Sequence, residues 1–244
     1  MLDGKTVLVT GATSGIGRGV CDALLAAGAA IVAVGRNQEQ LDELSRCAPS
    51  RVRPVVFDLT EFARYQEVFS PLGQIDGLVY SAGITDNNPL RFFSLDRYQR
   101  VVDINQTAPL ALVSQLARTG QFNSGASIVL LASILGPTIG MKGTAAYAGT
   151  KGALLAFVKV MALELSNKLI RVNSVSPGMV NTPLIANQQQ VSNQALQIDR
   201  QKYPLGKRYA EVGEVASLVR FLVSGESSFI TGANIVVDGG FSIQ

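Results

Sequence analysis

The sequence predicts an α/β fold, with a single, mostly parallel sheet of about seven strands held between two layers of helices. Its apolar runs are short, rich in β-branched residues and free of polar alternation, as strands buried on both faces must be. Most are followed by a stretch with apolar residues at helical spacing, so that strands and helices alternate along the chain. The third run, 52–57, contains Pro54, which belongs on a sheet edge because proline donates no ladder hydrogen bond. A doubly wound sheet of order 3-2-1-4-5-6 places its third strand at an edge, in agreement. The chain has 244 residues, 47% hydrophobic and 16% charged. That suits one domain over 1–244 burying about three quarters of its unfolded surface. No repeat, linker or second domain is visible.

Thr6–Thr10 is the first strand, and the glycine-rich turn Gly11-Ala12-Thr13-Ser14-Gly15-Ile16-Gly17 follows it. This turn opens a helix with Val20, Leu24 and Leu25 on its apolar side and Gly28 at its end. Glycines let a backbone approach a pyrophosphate, and free amides at a helix start favour an anion. Gly11, Thr13, Ser14, Gly15, Ile16 and Gly17 are therefore expected to line a dinucleotide site. The spacing Gly11-x-x-x-Gly15-x-Gly17 departs from the common G-x-G-x-x-G fingerprint, and a plain tight turn has the same composition.

The second strand, 30–34, leads into Gly35-Arg36-Asn37, where folds that bind NAD tend to carry an acid for the ribose. Arg36 stands there instead. With Thr13 and Ser14 it is placed to clamp a 2′-phosphate, so NADP(H) is expected over NAD(H); the other reading is an arginine in a solvated loop. A helix over 38–46 precedes the edge strand. Asp58-Leu59 follows that strand and is placed to meet the adenine, although a turn aspartate is an equally common explanation. The fourth strand, 77–80, leads to Ser81-Ala82-Gly83, small residues that let backbone pass close to a ligand. Ser94 caps a long helix running through Asn105 to Leu116, in which Pro109 predicts a kink or a loosened turn. Asn105 is a polar residue on an apolar face, and buried amides need partners.

Residues 127–132 form the fifth strand, with Ser133 at its end. Tyr147 and Lys151 lie four residues apart, hence on one face of a helix a turn apart. A phenol has an ordinary pKa of about 10, and a fixed cation nearby lowers it, so Tyr147 is a candidate general acid or base. Such a pair also suits a solvated helix face. A sixth strand, 171–176, runs into Pro177-Gly178-Met179-Val180-Asn181-Thr182. The segment near 182–205, rich in glutamine and asparagine over 187–197, predicts a cover over a site at the carboxyl ends of the strands. The helix Val212–Val223 and the strand Asn234–Val237 complete the alternation.

Several functions are excluded or not indicated. The chain contains no histidine, which removes Ser-His-Asp and Cys-His catalysis and any His-ligated metal site. Its two cysteines, Cys21 and Cys47, make neither a disulfide framework nor a cysteine-rich zinc site, and a reduced, cytoplasmic setting is expected. The net charge is +3, from 21 basic and 18 acidic residues without a run of either sign. Nucleic acid and membrane surfaces are therefore not indicated. The start of the chain runs straight into an apolar strand instead of a signal peptide. The uncharged stretch 23–35 is too short for a membrane helix of about 20 residues and reads as a helix end, a turn and a strand.

Together, Thr10-Gly11-x-x-x-Gly15-x-Gly17, Asn105, Ser133, Tyr147-x-x-x-Lys151, Pro177-Gly178 and the closing Ile230-Thr231-Gly232 to Asp238-Gly239-Gly240 resemble, in order and over essentially the whole chain, the short-chain dehydrogenase/reductases. The nearest resemblance is to the 3-oxoacyl-[acyl-carrier-protein] reductase branch. The resemblance implies a Rossmann-type three-layer α/β/α sandwich and an NADP(H)-dependent oxidoreductase. In it Tyr147 gives a proton to a carbonyl oxygen, Ser133 hydrogen-bonds that oxygen, and Lys151 holds the nicotinamide ribose and depresses the Tyr147 pKa. Asn105 positions a water that links Lys151 to solvent. Pro177, Gly178, Val180 and Thr182 are implied to face the nicotinamide, with its carboxamide at the Val180 backbone.

Two departures from the family pattern stand out. Tyr80-Ser81-Ala82-Gly83 replaces the usual Asn-Asn-Ala-Gly, which leaves backbone contacts to carry that loop. Ser127 replaces a basic residue that helps dock an acyl carrier, while Lys168 keeps a second basic docking position. The substrate is accordingly expected to be a 3-oxoacyl thioester, or else a free ketone, alcohol or sugar-like molecule; a cofactor-binding scaffold without chemistry is the reading from another class. Family members assemble as tetramers or dimers through the long helices, so a homo-oligomer is implied.

Overall fold

A computed structural model describes residues 1–183 and 193–243. One sheet holds all seven described strands, in the order β3-β2-β1-β4-β5-β6-β7. They are β1 Thr6–Thr10, β2 Ala30–Gly35, β3 Val52–Val56, β4 Ile75–Tyr80, β5 Phe122–Leu131, β6 Arg171–Pro177 and β7 Asn234–Val237. Every pairing is parallel, so the sheet is fully rather than mostly parallel. Pro54 sits on β3, at the edge, opposite Ala33 of β2.

Alternation along the buried strands sends neighbouring side chains to opposite helical layers. Leu8 of β1 joins Leu78 and Ile128 on one face, under α3 Tyr65–Phe69, α5 Ala108–Arg118 and α6 Ala145–Glu164. Val7 and Val9 face the other way, under α1 Gly15–Ala26, α2 Gln38–Cys47 and α8 Val212–Val223. Full burial of an aliphatic side chain stabilises by roughly 1.5–3 kcal/mol. These two apolar layers therefore hold the fold and leave the strand ends free to carry polar side chains. At the amino end of β6, buried Arg171 donates to the carbonyls of Leu222, Ser224 and Ser227, tying the strand to the end of α8.

The long helix predicted from Ser94 onward is present but interrupted. Ser94 caps α4, Leu95–Val102, by accepting from the Arg97 amide. A π-helical turn, Asp103–Thr107, then joins it to α5. Within this turn the Ala108 amide reaches back to the Asp103 carbonyl. The next bond of that series would need an amide from Pro109, which has none. The Ile104 carbonyl that it would have reached accepts instead from the Tyr80 hydroxyl, at 2.7 Å.

By length and composition alone α6 would suffice to cross a bilayer. In this fold it packs along β6 and buries Lys151, Leu154, Val158 and Met161. Of the segment expected to cover the site, residues 184–192 lie outside the described residues; the remainder contains α7, Asn193–Arg200, a helix the sequence did not indicate.

Candidate active site

The carboxyl ends of β1, β2, β4, β5 and β6 open on a cavity of about 540 Å³, a size suited to a small-molecule or cofactor site. Gly11, Thr13, Ser14, Gly15, Ile16 and Gly17 form one wall, Arg36, Asp58 and Leu59 a second, and Ser81, Ala82 and Gly83 a third. Tyr147, Lys151, Pro177 and Thr182 complete it. Thus most of the residues singled out for a cofactor meet in one space.

The glycine turn is shaped by backbone contact. A Cβ on Gly17 would lie 2.1 Å from the Gly11 carbonyl oxygen, so only glycine lets the first turn of α1 seat on the end of β1. Ser14, at the N-cap, does not cap the helix with its side chain, and the first turn holds no acid. The leading amides of α1 therefore open on the cavity with no internal acceptor, which is the arrangement an anionic pyrophosphate needs. Thr10, fully buried, accepts from the amides of Ser81 and Ala82 at 3.1 and 3.3 Å. With Tyr80 on Ile104, this supplies the bracing that the departure from Asn-Asn-Ala-Gly removed.

At the opposite end of the cavity, Lys151 is 4% exposed and its Nζ donates to the Leu131 carbonyl at 2.6 Å. Burial drives its pKa down from 10.5 to about 8. Between about 8 and 10.5 the unfolded chain holds a proton that the folded one has lost, so stability from this group rises with pH across that window. Below it, the buried cation weakens the fold. The Lys151 Nζ lies 5.7 Å from the centre of the Tyr147 ring. Ser133, 7% exposed, accepts from the Leu135 amide at 3.1 Å and acts to lower the pKa of the Tyr147 phenol.

The expectation that Lys151 depresses the Tyr147 pKa is not met. Burial raises the phenol above 10, and the Ser133 hydroxyl opposes that only in part. The physical reason is that the same low-dielectric surroundings penalise both charges: they disfavour the phenolate and weaken the cation meant to stabilise it.

Asn105 is fully buried in the π-helical turn, behind the cavity wall formed by Asp103 and Ile104. Its Nδ2 donates to the Ile84 carbonyl and its Oδ1 accepts from the Ile84 amide, both at 2.9 Å. A Cβ on Gly83 would lie 3.2 Å from Asn105 Oδ1 and 3.5 Å from Lys151 Nζ. Glycine at this position keeps the space between the two open.

Three proposed cofactor contacts do not line the cavity. Asn37 caps α2, its Oδ1 accepting from the Gln40 amide at 3.1 Å. Val180 is buried and bridged to Ala210. The Gly178 amide donates to the Val237 carbonyl, and a Cβ there would meet that of Asp238 at 3.0 Å. Its lack of a side chain thus serves the packing of β7. Ser127 is not at the start of β5 but five residues in; it is fully buried and donates to the Leu222 carbonyl. Lys168 follows α6 beside Ser124, at the amino ends of the strands and away from Tyr147. Sequence reading missed Phe57, Thr60, Ile84, Thr85 and Arg100 in the cavity wall.

A parallel sheet whose strand ends cradle an anion site, with a phenol and an ammonium at one end of the same cavity, defines an NAD(P)-dependent oxidoreductase. The chain belongs to the short-chain dehydrogenase/reductase family. Residues 11–242 match the family model described as enoyl-(acyl carrier protein) reductase. L-xylulose reductase of Bos taurus is 38% identical over 248 residues, covering 98% of this chain and 97% of that protein. The 3-oxoacyl-[acyl-carrier-protein] reductase of Thermotoga maritima is 33% identical and covers 99% of both chains. Among solved structures, a short-chain dehydrogenase/reductase, glucose/ribitol dehydrogenase, from Brucella melitensis superposes with a TM-score of 0.91 at 31% identity, covering 98% of this chain and 97% of that one.

Proposed function

We propose that this protein reduces the ketone of a small, free, sugar-like substrate to a secondary alcohol with NADPH, and that Tyr147 is the general acid. The observation that carries the reading is the Tyr147 phenol, neutral at pH 7, beside Lys151 in the cavity that the glycine turn opens on. A neutral phenol is the form that donates to a carbonyl oxygen, so at neutral pH Tyr147 is in the state that reduction requires. The free-substrate reading is supported by the L-xylulose reductases among the relatives and by Ser127, whose burial leaves no basic side chain at that docking position. The 3-oxoacyl-[acyl-carrier-protein] reductases among the relatives support an acyl thioester as the second reading.

A nicotinamide cofactor, when bound in this cavity, would supply the hydride. The amides at the start of α1 would hold its pyrophosphate, and Arg36 with Thr13 and Ser14 would hold a 2′-phosphate. Tyr147 passes its proton to the carbonyl oxygen, and Ser133 hydrogen-bonds that oxygen as negative charge develops. Lys151 holds the ribose and stabilises the phenolate that remains. Asn105 Oδ1 and Lys151 Nζ face the space beside Gly83, through which the phenol regains its proton.

The test is NADPH oxidation with L-xylulose beside an acetoacetyl thioester. Turnover confined to the thioester would overturn the sugar-like reading. Because Lys151 loses its proton near pH 8, kcat/KM for reduction is expected to fall about tenfold per pH unit above that value. A profile flat to pH 10 would remove Lys151 from the chemistry.

The exposed apolar side chains Leu95, Tyr98 and Leu110 on α4 and α5, with Val160 and Leu163 on α6, support a homo-oligomer built on these helices. The free thiols of Cys21 and Cys47 fit a reducing, cytoplasmic setting.

A further inference from the structure

Thr150, between the two reacting side chains of α6, is 1% exposed, so its hydroxyl must find partners within the protein. It donates to the Tyr147 carbonyl at 2.8 Å. Having given its only hydrogen there, it is left to accept, and what it accepts is the Asn105 Nδ2, at 3.2 Å.

We propose that the Thr150 hydroxyl is a positioning group of the active site, locking the Asn105 amide onto the turn of α6 that carries Tyr147 and Lys151. The inference rests on the roles given above to Tyr147 and Asn105. Both hydrogens of the amide are engaged, one by the Ile84 carbonyl and the other by Thr150. A hydroxyl that can only accept admits only the NH₂ end of the amide. Asn105 Oδ1 is thereby turned toward the Ile84 amide and the space beside Gly83 and Lys151. The chain of bonds runs from the loop after β4, through the π-helical turn, to the carbonyl of the general acid itself. It spans 45 residues of sequence between Asn105 and Thr150. It fixes the distance between the elements holding the cofactor and the element holding the acid.

Thr150→Val keeps the shape and removes the hydroxyl. One Asn105 N–H, fully buried, then loses its acceptor, and the amide is free to tilt. Misplacement of about 1 Å can cost ~10²-fold in rate, so kcat for NADPH oxidation is expected to fall about 10- to 100-fold. The Kd for NADPH, read by fluorescence titration, stays within about twofold, because Thr150 does not itself line the cofactor cavity. Thr150→Ser, which keeps the hydroxyl, restores most of the rate. Thr150→Val and Asn105→Ala combined lose no more than Asn105→Ala alone, since the first acts through the second. Should the valine variant not fold, Thr150→Ala against Thr150→Ser gives the same comparison.

The assay uses L-xylulose or the acetoacetyl thioester, whichever the wild type reduces, with Tyr147→Phe run alongside. Active Tyr147→Phe would overturn the roles on which the inference rests. Inactive Tyr147→Phe beside a Thr150→Val of wild-type kcat would overturn the Thr150 assignment alone. Additive losses with Asn105→Ala, or a serine variant as slow as valine, would also overturn it.

Discussion

Tyr147→Phe is expected to lower turnover by ~10²–10⁴-fold, the range that a positioned acid contributes, while leaving NADPH affinity nearly unchanged. The ring is kept, and with it the contact of Lys151 Nζ over its face. Lys151 also keeps its bond to the Leu131 carbonyl, so the ribose-binding group does not move. What disappears is the phenolic proton, carried at pH 7 by a neutral group in the cavity. Ser133 remains and is a donor in its own right, aimed where negative charge develops; such a donor is worth roughly 2.7–4 kcal/mol. The variant should therefore retain a slow residual rate instead of none. Turnover of the variant at the wild-type rate, measured with enzyme saturated in both substrates, would remove Tyr147 as the acid.

Strand positions were legible because a buried parallel strand carries its signal in a few consecutive residues. Thr6–Thr10 and Asn234–Val237 were read to the residue, and Pro54 marked an edge that the sheet order confirms. The glycine turn was legible for the same local reason, although its pattern could not show that Gly17 answers to the Gly11 carbonyl. Electrostatics was not legible. The Tyr147–Lys151 spacing shows that the pair shares a helix face, but the direction of each pKa depends on how much protein covers that face, and burial reversed the expected shift of Tyr147. Asn37 follows a strand, where an asparagine side chain can meet a ligand or cap a helix, and in this fold it takes the Gln40 amide. Tyr80 and Thr150 were passed over because their partners, Ile104 and Asn105, lie far along the chain, and no period in the sequence reports a side chain bound to a distant carbonyl or amide. A π-helical turn leaves only a proline as its trace, which is why Pro109 signalled an irregularity without its kind.

Arg36→Ala is expected to weaken NADPH binding by ~10- to 150-fold, the equivalent of the roughly 1.5–3 kcal/mol that a hydrogen bond to a charged group contributes. NADH affinity should change by less than about threefold. The guanidinium stands at the cavity rim with its side chain 75% exposed, and its recorded ion-pair contact is a long one, 3.7 Å to the Asp58 carboxylate. A group so lightly held is free to turn toward a phosphate. The methyl of Thr13 packs where a Cβ on Gly35 would be, which brings the glycine turn and the end of β2 to one rim and sets Thr13 and Ser14 beside Arg36. Asp58 works against the clamp. The Thr60 amide and hydroxyl, and Arg36 itself, hold its carboxyl below the usual range, so at neutral pH it is a full negative charge facing the same space. Removing Arg36 would leave a 2′-phosphate opposite that carboxylate with no intervening cation, which is why the loss should exceed that of one exposed contact. Because the rim is open to solvent, the discrimination should shrink as salt is raised and the Debye length falls to about 3 Å at 1 M. Equal dissociation constants of the wild type for NADPH and NADH at low salt would refute the clamp before any variant is made.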